Sequence, residues 1–227
     1  MNHKIIRFST ALFIIAALFS GCGFWKKQSP PRNAPEALYQ RGYEDYQRGK
    51  YKKAIEAFQR LNEEYPLSEL AIMAEIGIAD AYFSDKEYVD AALSYTDFIN
   101  LHPLNEHVPY AHYQIAMCHY KQIDTIDRDQ TETYNAKTAF ERLISRFPES
   151  KFRPLAENML KECNIKLAEH ELYVGRLYFK MKKYQAALQR FEKVTKDYAG
   201  LGLEAKTNQY ISETQKRLAA MEKSKIN

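Results

Sequence analysis

Four stretches of the chain repeat one arrangement of apolar positions. Phe58-Gln-Arg-Leu61 leads to Glu64-Tyr65-Pro66, Tyr95-Thr-Asp-Phe98 to Leu101-His102-Pro103, and Phe140-Glu-Arg-Leu143 to Arg146-Phe147-Pro148. The prolines are 37 and 45 residues apart. Upstream stand an aromatic and an alanine: Tyr51 and Ala54, Tyr88 and Ala91, Tyr134 and Ala136, then Tyr184 and Ala187 in a fourth copy. A small residue precedes each, at Gly42, Ala79, Ala116 and Gly175, and all of these small-to-alanine separations but the third are 12 residues. A fixed period of this kind marks stacked copies of one supersecondary unit. Here the unit reads as two helices: small residues let them approach, aromatics fill the remaining gap, and proline ends the second helix. Gly49 and Lys50 make the first turn between them.

This is the tetratricopeptide pattern, a helix–turn–helix of about 34 residues. It predicts an all-α fold, a superhelical α-solenoid of about five helix pairs. The departures carry information. The third copy has 20 residues between Ala116 and Ala136, and the extra polar segment 122–133 (QIDTIDRDQTET) is predicted to loop out between its helices. The fourth ends in Tyr198-Ala199 where proline is expected, which predicts a less sharp stop. Between Pro148 and that copy an additional helix opens near Pro154, and with no Gly or Pro from 155 to 174 one helix can run to about residue 181. Residues 203–221 supply a final half-repeat with a charged outer face suited to capping the stack.

The first 22 residues have another character. Lys4 and Arg7 precede the apolar run 11–19, too short to span a bilayer, and Ser20-Gly21-Cys22 closes the segment. This is similar to the bacterial lipoprotein signal, with Phe19 where leucine is usual. It implies cleavage before Cys22, acylation of that cysteine, and an anchor well beyond the two-signal threshold for stable membrane attachment. Gly23 after the cysteine implies the periplasmic face of the outer membrane. The competing reading is cleavage by ordinary signal peptidase near Ser20, leaving Cys22 as a free thiol. Residues 23–33 (GFWKKQSPPRN) read as a solvated tether stiffened by two prolines. Phe24 and Trp25 belong either to the headgroup zone or to an exposed linker. The organisation is then signal 1–21, lipidated terminus and tether 22–33, repeats one to three over 34–148, and C-terminal repeats with a capping helix over 149–227.

Composition narrows the function classes. With 45% apolar residues the chain can build a core, and with only eight Gly and eight Pro it fits helices better than turn-dense β-structure. A formal charge of +4, mixed in sign, does not suggest a nucleic-acid binder. No phosphate loop, Rossmann glycine pattern, nucleophile elbow or zinc-protease motif occurs, so no enzyme and no cofactor are expected. His112 and His119 share a helical face, but two nitrogens do not make a metal site, and no metal is expected. Asp124, Asp127, Asp129 and Glu132 crowd the insertion, yet an EF-hand register starting at Asp127 puts Glu132 and Thr138 where Gly and Glu belong. Cys118 and Cys163 fall mid-helix and read as small hydrophobes, a disulfide being the minority alternative.

The first helix of each tetratricopeptide pair lines the concave surface. Counting from the small residues, the inward positions are Tyr39, Tyr43 and Tyr46, then Ile76, Asp80 and Phe83, then Tyr113, Met117 and Tyr120. Repeats that clamp a terminal carboxylate show Lys and Asn at such positions; these show aromatics, which offer rigid contact area and a hydroxyl for backbone groups. The expectation is a groove for an extended, aromatic-bearing peptide. The alternative is that these tyrosines pack against neighbouring turns of the superhelix.

The C-terminal stretch is more particular. Leu167-Ala-Glu-His-Glu-Leu-Tyr-Val174, Arg176-Leu-Tyr-Phe179 and Tyr184-x-Ala-Ala-x-x-Arg190-Phe-Glu192, with the Asp-Arg-Asp insertion in repeat three, resemble the BamD family of β-barrel assembly lipoproteins. The resemblance covers nearly the whole chain after Cys22. It implies a non-enzymatic scaffold whose N-terminal repeats receive unfolded outer-membrane proteins and whose C-terminal repeats dock on BamA, beside other lipoproteins of the machinery. On that reading Tyr39, Tyr43, Tyr46, Ile76 and Phe83 face the client, and Glu169, Glu171, Arg176 and Arg190 the docking partner. Arg190 alternatively forms a structural ion pair with Glu192 or a neighbouring helix. A second function class, a repeat lipoprotein of cell-wall synthesis, division or pilus assembly, would use the groove for another partner.

Overall fold

A computed structural model describes residues 34–226 of the chain. The signal segment 1–21, the tether 22–33 and the lipidation site Cys22 lie outside the described residues. Among these residues the chain is entirely helical: α1 Pro35–Gln47, α2 Tyr51–Glu64, α3 Glu69–Ser84, α4 Tyr88–Leu101, α5 Val108–Lys121, α6 Thr131–Arg146, α7 Arg153–Lys180, α8 Tyr184–Asp197 and α9 Glu204–Ile226. Each helix packs on the next in sequence, and α1 also meets α3. The pairs expected from the repeat resolve into four hairpins, α1/α2, α3/α4, α5/α6 and α7/α8, with α9 stacked on the last. α7 is the uninterrupted helix foreseen across 155–181, and it serves two hairpins by packing on both α6 and α8.

The repeat positions do what their chemistry requires. Ala54, Ala79, Ala91, Ala116, Ala136 and Ala187 are fully buried, and so are Tyr95, Phe140 and Phe191. The glycines sit where a ring leaves no room. A Cβ on Gly42 would lie 2.6 Å from the Phe58 ring, one on Gly77 2.7 Å from the same ring, and one on Gly175 2.5 Å from Phe191. Phe58 is therefore gripped between α1 and α3, and the backbones of three helices close on one aromatic.

The turns within hairpins repeat as well. Gly49, Lys86 and Lys182 each take the left-handed conformation, with φ of 71°, 67° and 60°. The amide of each residue, and of the one after it, closes onto carbonyls of the preceding helix: Lys50 to Asp45, Glu87 to Tyr82, and Lys183 to Tyr178. This is the C-terminal hydrogen-bond pattern that favours glycine, met twice by lysine.

Two expectations are corrected. The insertion is shorter than 122–133: only residues 122–130 lie outside helices, because the Thr131 amide bonds Asp129 Oδ1 at 2.8 Å and α6 starts there. The segment does not hang free, since His170 Nδ1 on α7 lies 2.6 Å from the Ile126 carbonyl oxygen. The fourth hairpin also stops cleanly without proline. α8 ends at Asp197, and Gly200 and Gly202, at φ 83° and 81°, turn the chain into α9.

Candidate functional site

Tyr39, Tyr43 and Tyr46 follow the i, i+4, i+7 spacing and so share one face of α1. Met73, Ile76, Gly77 and Asp80 do the same on α3. Where the two faces meet they line, with Phe58 beneath, a cleft of about 130 Å³. Each tyrosine is held differently. The Tyr39 ring lies 5.6 Å from Phe58 and that of Tyr46 5.7 Å from Tyr51, and the Tyr46 hydroxyl reaches Ser84 Oγ at 3.0 Å. Tyr43 is 48% exposed. Two of the three tyrosines thus pack within the superhelix, and the third opens to solvent.

A larger cavity of about 570 Å³ adjoins this cleft and shares Met73, Ile76 and Asp80 with it. Its far side is built by Tyr110 of α5, by Glu106 and His107 before α5, and by Lys151 and Phe152 before α7. Asp80 lies in the wall common to both. Tyr110 donates its hydroxyl hydrogen to Asp80 Oδ1 at 2.6 Å, and Tyr95, fully buried, donates to the same oxygen. Burial pushes the Asp80 carboxyl above its ordinary value, against the two tyrosine bonds and nearby His107, which favour the charged form. Burial also raises Tyr39, with Tyr43 and Asp80 adding to the effect, so Tyr39 stays a neutral donor.

The remaining inward positions do not share the cleft. Phe83 turns into the second hairpin, edge-on to Tyr88 at 5.4 Å. Tyr113 stacks on Phe152 at 5.6 Å, and with Met117 and Tyr120 it packs against the core around Phe140 and Cys163. The sequence pattern had identified α1 and part of α3. It missed Phe58, Met73, Tyr110 and Phe152 as lining residues; Met73 lies three before Ile76 on the same face, the one signal available.

At the other end, the four residues expected on a docking surface divide. Glu171 is buried, its side chain 2% exposed, and both its oxygens are occupied: Arg190 Nη1 donates to Oε2 at 2.8 Å and Lys193 Nζ to Oε1 at 2.6 Å. It is thus an internal counter-ion and not a surface group, and Arg190 joins α8 to α7 in place of the Glu192 pair. Burial works to raise the Glu171 carboxyl, but the Lys193 and Arg190 bonds prevail and hold it below its ordinary value. Arg190 and Lys193 remain over a third exposed. Arg176 is exposed, its guanidinium 6.0 Å from the Tyr210 ring centroid, and Glu169 is half-buried.

The other titratable candidates are absorbed by packing. His119 Nδ1 lies 2.7 Å from Glu132 Oε2. His112 sits 5.3 Å from the Phe147 ring, and burial, with Arg146 and Arg142 nearby, lowers it to about 4. Cys118 and Cys163 are free and buried, which pushes both thiols up to about 12. Among the described residues no three His, Cys, Asp or Glu side chains are placed to hold a metal ion.

The family model YfiO, described as an outer membrane lipoprotein, matches residues 31–226. Over 196 residues the chain is 35% identical to the outer membrane protein assembly factor BamD of Rickettsia prowazekii, covering 86% of this chain and 78% of that protein. It is 29% identical to the BamD of Caulobacter vibrioides, over 81% of this chain and 61% of that one. With the BamD of Neisseria gonorrhoeae the identity is 28%, over 87% and 78%. A family match across all the described helices, together with a relative above 30% identity over most of both chains, places this chain in the BamD (YfiO) family of outer membrane lipoproteins.

Proposed function

We propose that this chain is a non-catalytic scaffold of outer-membrane β-barrel assembly, anchored through acylated Cys22 to the periplasmic face of the outer membrane. Its N-terminal repeats (34–148) receive unfolded outer-membrane proteins. Its C-terminal repeats (149–227) dock on the BamA subunit, alongside other lipoproteins of the machinery. The tyrosine cleft between α1 and α3 carries the reading: a site bounded by aromatic rings, with one ring open to solvent, suits a side chain presented by an extended peptide. Tyr39, Tyr43, Tyr46 and Ile76 are the client-side residues, with Tyr113, Met117, Tyr120 and Phe83 supporting the groove from the cores beside it. Glu169, Arg176 and Arg190 form the docking side. Among the described residues no helix is long and apolar enough to cross a membrane, so on this reading the lipid at Cys22 provides the attachment.

A photo-crosslinking side chain at Tyr43 in cells should capture nascent outer-membrane proteins, and affinity purification from detergent-solubilised envelope should bring BamA with the wild-type chain. Arg190→Met, which keeps Lys193 on the buried Glu171, should reduce BamA recovery without loss of helicity. A Tyr43 probe that captures no client, or a purification without BamA, overturns the corresponding half of the proposal.

A further inference from the structure

Asp80 stands at the inward position that its neighbouring repeats fill with Tyr43 and Met117. The hairpin fold therefore does not need a carboxylate there. The two hydroxyls that bind it, from Tyr95 and Tyr110, both donate to Oδ1. Gln114 Nε2 in turn donates to the Tyr110 hydroxyl at 2.8 Å, which leaves the Tyr110 proton directed at Asp80. The carboxylate is held rigidly by one oxygen. Among the described residues no hydrogen bond reaches the other, Oδ2. Oδ2 is not sealed in the core: Asp80 stands in the wall of both adjoining clefts, where a donor entering from solvent can reach the free oxygen.

The surroundings indicate what would use it. The 570 Å³ cavity has the volume of a ligand site, and its ionisable lining is two carboxylates, Asp80 and Glu106, against the Lys151 ammonium, which lies 5.3 Å from the Phe152 ring centroid, and His107, whose Nε2 lies 3.8 Å from Glu106 Oε1. At the free oxygen of Asp80 the carboxylate attracts a cation and repels another carboxylate. The smaller cleft next to it, about 130 Å³, is of the order that holds one aromatic ring. Side chains two apart in an extended peptide point to the same side, about 7 Å from each other.

We propose that Asp80 makes this groove a reader of cationic side chains: it takes an internal, extended segment whose aromatic ring enters the tyrosine cleft and whose Lys or Arg, two residues away, donates to Asp80 Oδ2. This rests on the client-groove reading and adds the class of peptide selected. A segment ending in its own carboxylate at that point is rejected by like charge.

The test uses the full-length chain in detergent micelles and three fluorescent synthetic peptides followed by anisotropy. One carries an internal Phe-x-Lys and an amidated end, the second replaces Lys with norleucine, and the third ends at the Lys position in a free carboxylate. The Lys peptide should bind about tenfold tighter than the norleucine peptide, the worth of a charge-assisted hydrogen bond, and the free-acid peptide should bind weakest. Asp80→Asn should bring the Lys-to-norleucine ratio towards one, while Tyr110→Phe, which leaves the carboxylate in place, should preserve the preference. Equal binding of the Lys and norleucine peptides by the wild-type chain overturns the proposal while leaving the groove intact, and it does so without relying on any variant's folding. A ratio that survives in a folded Asp80→Asn chain also overturns it. If none of the peptides binds, the groove reading itself falls and takes this one with it.

Discussion

Glu171 offers a sharp test of how the C-terminal hairpins are held together. Its side chain is 2% exposed, while its two cations, Arg190 and Lys193, are 39% and 38% exposed. A hydrogen bond to a charged group contributes about 1.5–3 kcal/mol, but water screens both donors here, so each pair is worth about 1 kcal/mol. Arg190→Met alone should then cost about 1 kcal/mol, because Lys193 still compensates the anion. Removing both cations is different in kind: it strands a buried carboxylate, and the expected cost is about 3–5 kcal/mol. Glu171→Gln removes the buried charge: its amide oxygen still accepts from one cation, while its amide nitrogen faces the other donor and lacks an acceptor, so its cost is about 1–3 kcal/mol. Neutralising the anion should therefore be milder than deleting its partners, and adding Glu171→Gln to the double cation variant should restore most of the loss.

The pH dependence follows from the same geometry. In the wild-type chain the folded carboxyl lies below its unfolded value of about 4.3, so the network's contribution is present above that value and fades as pH falls through the folded one. Without the cations, burial acts unopposed and lifts the folded carboxyl above its unfolded value. That destabilisation is full at neutral pH and is relieved as pH falls through the raised value. Urea unfolding followed by circular dichroism, at neutral pH and at about pH 4.5, should show the gap between the two proteins narrowing with acid. A larger loss from Glu171→Gln than from the double cation variant, or a gap that widens with acid, would refute the assignment of Glu171 as a buried counter-ion.

Three further outcomes are expected. Gly42→Val and Gly175→Val force a side chain into the Phe58 and Phe191 rings and should each destabilise by about 1–3 kcal/mol or more, lowering Tm, whereas the same change at exposed Gly49 should cost only through its positive φ. Lys182→Gly should raise the urea midpoint by the equivalent of about 0.5–1 kcal/mol, because φ of 60° is strained for lysine and free for glycine. Cys118 and Cys163, buried with thiols at about 12, should resist iodoacetamide at pH ~8 in the native chain and react promptly once it is unfolded; rapid native labelling would show that the α5–α7 core opens.

The repeat was legible because its determinants are local and few. Gly42, Ala54 and Phe58 meet within one hairpin, so their spacing along the chain already states the contact. Gly77 was less visible, since it matters only when α3 is laid against Phe58 from the preceding hairpin. The same limit explains the site. Tyr39, Tyr43 and Tyr46 follow from helical spacing, but whether a tyrosine faces solvent, as Tyr43 does, or closes on Ser84, as Tyr46 does, depends on the neighbouring repeat. Phe83 occupies the position equivalent to Tyr46 and points into its own hairpin, against Tyr88.

Legible along the chain were the hairpin count to within one helix, the unbroken α7 and the place of the insertion. These are one-dimensional properties, set by period, small residues and breakers. Only the folded chain shows which groups share a carboxylate: Tyr95 and Tyr110 on Asp80, 15 and 30 residues away, and Arg190 and Lys193 on Glu171, 19 and 22 away. Tyr95, Arg190 and Lys193 reach across to the other helix of their own hairpin and Tyr110 reaches in from the next one, so the pairings depend on the angle and offset at which one helix packs on another. That angle comes from the summed packing of many side chains, and no single spacing along the chain encodes it.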